Sequence, residues 1–183
     1  MPTIVSHAVA ATALGQCYPA RQRPARFWLW TAGCAIAPDL DVIGFAFGVP
    51  YGDLLGHRGL THSLALAAVV GFVAARGCRG SSRPLGVGSW SLGVAWLYFF
   101  LLTASHGLLD AMTDGGLGIA LLAPLVNDRS FFPWRPIRVS PIGVGFFSAR
   151  GLAVLGSELR WIVLPSAIIA VIARIALKPA RHA

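Results

Sequence analysis

At 183 residues the chain is long enough for one domain with a full core and short for two. Hydrophobic residues make up 56% and charged residues 12%, against roughly 25% charged in typical globular chains. With a mean hydropathy of +0.68, this excludes an ordinary soluble domain and points to a membrane protein. The net charge of +8 is carried almost wholly by arginine, Lys178 being the one lysine. Many of the basic residues fall between apolar runs, as Arg21, Arg23 and Arg26, then Arg76, Arg79 and Arg83, then Arg174, Lys178 and Arg181. That distribution suits loops flanking membrane segments and lacks the spacing of a recognition helix, so no nucleic-acid partner is expected. Cys17, Cys34 and Cys78 are odd in number and show no CxxC spacing, which argues against a disulfide framework and a thiolate zinc site.

Along the chain, Met1 to Ala20 carries no charged side chain and predicts a helix with His7 near its start. It lacks the basic region of a cleaved signal peptide and is expected to remain in the mature protein. Arg21 to Arg26 predicts a basic loop. Phe27 to Ala37 is apolar but too short to cross a bilayer unaided, which takes about 20 residues, and Pro38 is expected to end it. Residues 44 to 60, with five glycines and Pro50, read as a loop. Leu64 to Ala75 with Gly59 to Ser63 makes a marginal span headed by His62. After a polar turn from Arg76 to Pro84, no formal charge appears until Asp110, and the WLYFFLL run marks the strongest membrane signal. Leu117 to Val126 is apolar and brief. Asn127 to Ser148, rich in Pro, aromatics and Arg, predicts an interfacial loop. The last helix is expected from Glu158 to Leu177, kinked at Pro165.

Three of the five histidines and four of the seven acidic residues fall in three clusters within this apolar chain. They are APDLD (Asp39, Asp41), HRGLTHS (His57, Arg58, His62) and SHGLLDAMTD (His106, Asp110, Asp114). Ionisable groups are costly in such surroundings and are usually functional. His106, Asp110 and Asp114, spaced i, i+4, i+8, are predicted to share one helical face. The short turn between the helix headed by His62 and the helix carrying His106 makes them antiparallel, so both histidines come to the end opposite the arginines. A cytoplasmic arginine turn would put that end outside, although the Arg129–Arg138 loop counts against this orientation. Neutral imidazole with carboxylate suits a divalent ion, zinc foremost, with manganese or iron also accommodated. Arg58 is expected either to stabilise developing negative charge or to pair with Asp53 or another loop carboxylate.

These clusters, with His7 before them and FFPWRPI after them, resemble the YdjM-like family of bacterial inner-membrane, metal-dependent hydrolases, over a stretch ending near Gly143. The resemblance implies an inner-membrane, multi-helix protein with a site of His and Asp ligands. The order His, Asp, His, then HxxxD is also more distantly similar to the zinc-dependent phospholipase C and single-strand nuclease group. That similarity implies His7, Asp39, His57 or His62, His106 and Asp110 as metal ligands. The later histidines and the ligating glutamate of such enzymes have no counterpart, since Glu158 has no histidine near it in sequence, so neither a third metal nor the phosphodiester substrate carries over.

The combined expectation is an all-α integral membrane protein, residues 1–183 forming one domain of about four spanning or half-spanning helices in the bacterial inner membrane. Its site would hold one or two divalent ions and hydrolyse a phosphoester in a lipid or envelope metabolite, with Asp41 or Asp114 as general base and Arg58 as charge stabiliser. The same ligands also fit amide or other ester hydrolysis. A metal transporter or metal sensor is the rival reading, and it expects ligands near the bilayer midplane on facing helices. A purely structural metal expects a closed coordination shell.

Overall fold

The computed structural model describes residues 1–18, 23–79, 91–141 and 143–177. All regular elements among them are helical, with two isolated bridges, Thr113 with Ile137 and Ile119 with Ser130. The first helix, α1 (Ile4–Gln16), starts where the Thr3 hydroxyl accepts a hydrogen bond from the Ser6 backbone N–H. Part of the basic loop expected at Arg21–Arg26, most of the polar turn expected at Arg76–Pro84, and the tail from Lys178 lie outside the described residues.

The expected break at Pro38 does not occur. Helix α2 (Ala25–Ile36) continues without interruption into a 3-10 segment (Ala37–Phe47). Pro38 falls in the first turn of that segment, and the Ala35 carbonyl that an N–H at position 38 would meet in 3-10 winding is met by His106 Nδ1 instead. The coil stops only at Gly48, whose φ of 75° reverses the chain. The rod from Ala25 to Phe47 is thus 23 residues long, with a mean hydropathy of 1.2, and suffices to cross a membrane.

Helices α3 (Leu64–Arg79) and α4 (Leu92–Ala111) pack as the predicted antiparallel pair. A Cβ at Gly71 would lie 2.6 Å from the backbone N of Phe100, so only glycine lets the two backbones approach this closely. The Trp96 indole N–H donates across the pair to the Ala68 carbonyl. Around Phe27 a cluster of rings from Tyr18, Trp28, Tyr98 and Phe99 fills the centre of the bundle. Apolar side chains also cover the outside: Val69, Phe72 and Val73 on α3 and Leu97 and Leu101 on α4 are exposed. Such an exterior belongs against lipid.

The last rod begins earlier than expected, as α5 (Ala149–Glu158), and passes through a π-helical turn (Leu159–Val163) into α6 (Leu164–Ala176). Pro165 cannot donate to the carbonyl of Trp161, and the wider π turn just before it is where the α-helical pattern is interrupted. The rod is 28 residues long with a mean hydropathy of 1.9. With Ala25–Phe47, Leu92–Ala111 and the shorter Leu64–Cys78, the bundle therefore offers three helices able to span and one half-length apolar helix. Of the loop predicted at Asn127 to Ser148, residues 127–141 are irregular and Gly143–Phe146 forms a 3-10 turn; Trp134 of this loop packs edge-on against Trp161 of the π turn, ring centroids 4.9 Å apart.

Candidate metal centre

Four separate pieces of chain converge at one end of the bundle. Helix α1 brings His7, and the 3-10 segment after α2 brings Asp39 and Asp41. The turns that follow bring His57, Arg58 and His62, and the final turns of α4 bring His106 and Asp110. All eight side chains are buried. His62 lies at the centre. Its Nε2 is 3.2 Å from Asp110 Oδ2 and 3.7 Å from Asp39 Oδ1, and its Nδ1 is 3.3 Å from Asp41 Oδ2. His106 Nε2 is 3.3 Å from Asp39 Oδ1, and His7 Nε2 is 3.6 Å from Asp110 Oδ1. The rings of His62 and His106 lie 5.0 Å apart, as the antiparallel pairing of α3 and α4 predicts. Gly107 permits this approach, since a Cβ there would come within 2.9 Å of the His62 carbonyl oxygen.

Neighbouring groups fix which atoms face inward. The Nδ1 of His106 lies 2.8 Å from the Ala35 carbonyl, which can only accept, so Nδ1 carries the proton and the Nε2 lone pair is turned to the cluster. His57 Nδ1 meets Asp41 Oδ1 at 2.7 Å, while Asp41 Oδ2 accepts from the Arg58 backbone N–H and the Thr61 hydroxyl. Arg58 itself is fully buried and holds a left-handed φ of 65°, rare for a residue with a side chain. Its Nε donates to Asp110 Oδ2 at 3.1 Å, and its two terminal nitrogens donate to the Gly115 carbonyl and the Thr113 hydroxyl. The carboxylate that Arg58 meets is thus Asp110; Asp53 is exposed and accepts from the Leu54 N–H.

The polar atoms left without partners in this cluster point to a cation. His7 Nε2, both oxygens of Asp39, His62 Nε2, His106 Nε2 and Asp110 Oδ1 are all buried with no hydrogen-bond partner. Native structures leave only a few such atoms per hundred residues, whereas these six lie together in one cluster. One donor atom each from Asp39, His62, His106 and Asp110 fit within 4.8 Å of one another, and so do donors from Asp41, His57 and His62. The residues present therefore fit a divalent ion. Burial works against a charged His62, but the Asp110, Asp39 and Asp41 carboxylates close around its ring override it and raise its pKa to about 10. Without an ion, a proton on His62 holds the carboxylates together.

Asp114 is not part of this convergence. Helix α4 ends at Ala111, so the helical period stops before reaching it. Its side chain is exposed and accepts from the Val139 N–H at 2.8 Å, pinning the loop just after Ile137. Sequence reasoning missed two supporting residues. Glu158 is buried and accepts from the Thr3 N–H and from the hydroxyls of Thr3 and Ser6, clamping the first turn of α1 that carries His7. Its signal was a lone carboxylate in an apolar helix. Arg129 donates to the carbonyls of Tyr51, Asp53 and His57 and so shapes the turn before Arg58. Nothing in the sequence distinguished it from the other arginines of its loop.

A family model described as YdjM inner membrane protein matches residues 1–182. The chain belongs to the YdjM inner membrane protein family. Inner membrane protein YbcI of Escherichia coli (strain K12) is 36% identical over 170 residues, which cover 90% of this chain and 92% of that relative. No solved structure matches. The chain is an inner membrane protein, and its described residues form a helical bundle with three candidate spans and one shorter apolar helix. The family description names no reaction and no metal.

Proposed function

We propose that this YdjM-family protein is a membrane-bound, metal-dependent hydrolase acting on a phosphoester. The observation that carries the proposal is the set of buried, unpartnered donor atoms of His7, Asp39, His62, His106 and Asp110, all aimed into one cluster. Asp39, His62, His106 and Asp110 would hold the ion, with His7 beside them. An ion bound there supplies Lewis acidity and lowers the pKa of a water to near neutrality.

The other residues divide the remaining tasks. Asp41 orients His57 through the 2.7 Å contact, so that His57 can take up a proton while Asp41 stabilises the charge it gains. Arg58 holds Asp110 in place and offsets part of the negative charge of three neighbouring carboxylates. The Asp41, His57 and His62 group would alternatively hold a second ion, and two ions would clamp the oxygens of a phosphoester.

The test is metal analysis of purified protein together with turnover of phosphoester substrates before and after chelation. Zinc at one or two equivalents, with hydrolysis abolished by chelator and restored by metal, is the expected result. Metal flux in proteoliposomes without hydrolysis would establish the transporter reading instead. Absence of any bound or reconstitutable divalent ion would overturn both.

A further inference from the structure

Leu117 to Val126 is apolar, lies outside every helix and contributes no ligand to the metal centre. No charged residue occurs from Gly115 to Asn127, between Asp114 and Asp128. Leu117, Leu122 and Val126 are exposed, and Leu125 is 92% exposed, an extreme for so large an apolar side chain. Left in water, such a patch is a liability; against lipid it is an asset. The same segment is firmly seated on its inner side. Ile119, Ala120 and Ala123 are buried, the Ala120 N–H donates to the Arg58 carbonyl, and the Leu64 N–H donates to the Leu121 carbonyl, both at 3.0 Å. The turn is thereby fastened to the head of α3, beside the segment that carries His62.

Helix α3 needs an apolar neighbour at that end. Its stretch Leu64–Cys78 rises about 22 Å at ~1.5 Å per residue, against a hydrocarbon core of roughly 30 Å. Its far end cannot reach deeper into lipid, because Arg76 is exposed there and a guanidinium is held at the boundary. The missing apolar height is therefore made up at the Leu64 end, where the Leu121–Val126 turn lies. The backbone of the turn suits that place. The Ala123 N–H donates to the Ala120 carbonyl, the Leu125 and Val126 N–H groups donate to the Leu122 carbonyl, and Pro124 has no N–H to satisfy. Asp114 and Asp128, both exposed, keep the two ends of the segment on the water side, so that the side chains at its tip are what enters the acyl region.

We infer that Leu121–Val126 is a bilayer anchor, a turn whose Leu122 and Leu125 side chains seat in the edge of the acyl-chain layer and complete the apolar height of α3. Membrane lipid is its partner, and the anchor is independent of the reaction at the metal centre. Nitroxide labels test it in the full-length protein reconstituted into phosphatidylethanolamine–phosphatidylglycerol vesicles. Cys34 and Cys78 are buried and Cys17 is exposed, so Cys17→Ser provides a background that should take up no label. A label on Leu125→Cys is compared with one on Val69→Cys, from the lipid face of α3, and one on Asp53→Cys, from an exposed polar turn. Relaxation by oxygen, which concentrates in hydrocarbon, is divided by relaxation by a water-soluble nickel chelate. The ratio for Leu125→Cys should stand severalfold above that for Asp53→Cys and no higher than that for Val69→Cys. Leu122→Cys gives the same reading should Leu125→Cys fold poorly. A ratio equal to that of Asp53→Cys puts the turn in water and overturns the inference. Exclusion of both reagents would mean that protein covers the turn, a second copy where the labels also broaden one another, and overturns it as well.

Discussion

The imidazoles of His7 and His106 stack face to face, their centroids 3.7 Å apart and their planes within 10°. They come from the first helix and the fourth. Two cationic rings would repel at this distance, so the stack holds only while at least one ring is neutral, the form that binds metal. His106→Ala would remove both a donor atom and the face on which His7 rests. Metal content measured after purification should fall to less than about a tenth of that of the unaltered protein. The double variant His62→Ala plus Asp110→Ala should bind none, and full retention of metal in it would show that the ligands lie elsewhere.

Asp114→Asn provides the opposite expectation. The side chain is exposed and accepts a hydrogen bond from the Val139 N–H. Metal stoichiometry and the rate of any metal-dependent hydrolysis should match the unaltered protein, with a stability cost of about 1 kcal/mol or less. Loss of activity with metal retained would bring Asp114 into the chemistry after all.

For Arg58 the prediction concerns stability. The guanidinium and Asp110 are both fully buried, and breaking such a pair by removing one partner costs about 3–5 kcal/mol. Arg58→Met should show this penalty in metal-free protein and a smaller one in metal-loaded protein, where the ion supplies positive charge to Asp110. Thermal melts with and without chelator separate the two cases; an equal penalty in both would mean that Asp110 does not contact the ion.

The pH dependence follows from His62. Its pKa in the folded protein is about 10, above the value of about 6.5 expected in the unfolded chain. A raised pKa gives stability that is fully present below about 6.5 and is lost as pH rises through about 10. Chelator-treated protein should therefore lose melting temperature between pH 7 and 10, while metal-loaded protein should not, because the ion replaces the proton. Metal affinity should rise over the same interval. Identical pH profiles with and without metal would rule out His62 as a ligand.

Glu158→Ala should unhook the first turn of α1 from the last rod, leaving the Thr3 and Ser6 donors unanswered. Metal affinity should fall by about 10- to 100-fold, the range seen when groups supporting a ligand are removed. Glu158→Gln, which keeps two of the three acceptor contacts, should recover most of it. Equal affinity in all three proteins would leave Glu158 no part in positioning His7.

Much of the site was legible before any coordinates, and the reason is physical. Charged and imidazole side chains are so costly in an apolar chain that their positions alone single out His57, His62, His106 and Asp110. Antiparallel pairing of α3 and α4 then requires His62 and His106 to meet. What sequence hid were features decided by backbone detail. Asp114 follows Asp110 at helical spacing, yet the helix has already ended at Ala111. Pro38 reads as a terminator, yet the chain tightens and continues through it. Arg58 lies beside two histidines but spends its side chain on Asp110, a partner 52 residues away that only the fold brings near.

The tightened coil after Pro38 has a further consequence. In an α-helix, residues two apart point about 160° away from each other, at 100° per residue. With three residues per turn that separation falls to about 120°. Asp39 and Asp41 stand in the 3-10 segment, and each faces a different nitrogen of His62, Asp39 toward Nε2 and Asp41 toward Nδ1. Wound as an α-helix, the same two aspartates would straddle the axis and only one could reach the imidazole. A change of winding by a fraction of a turn thus converts a sequence spacing that suits opposite faces into a pincer around a single ring.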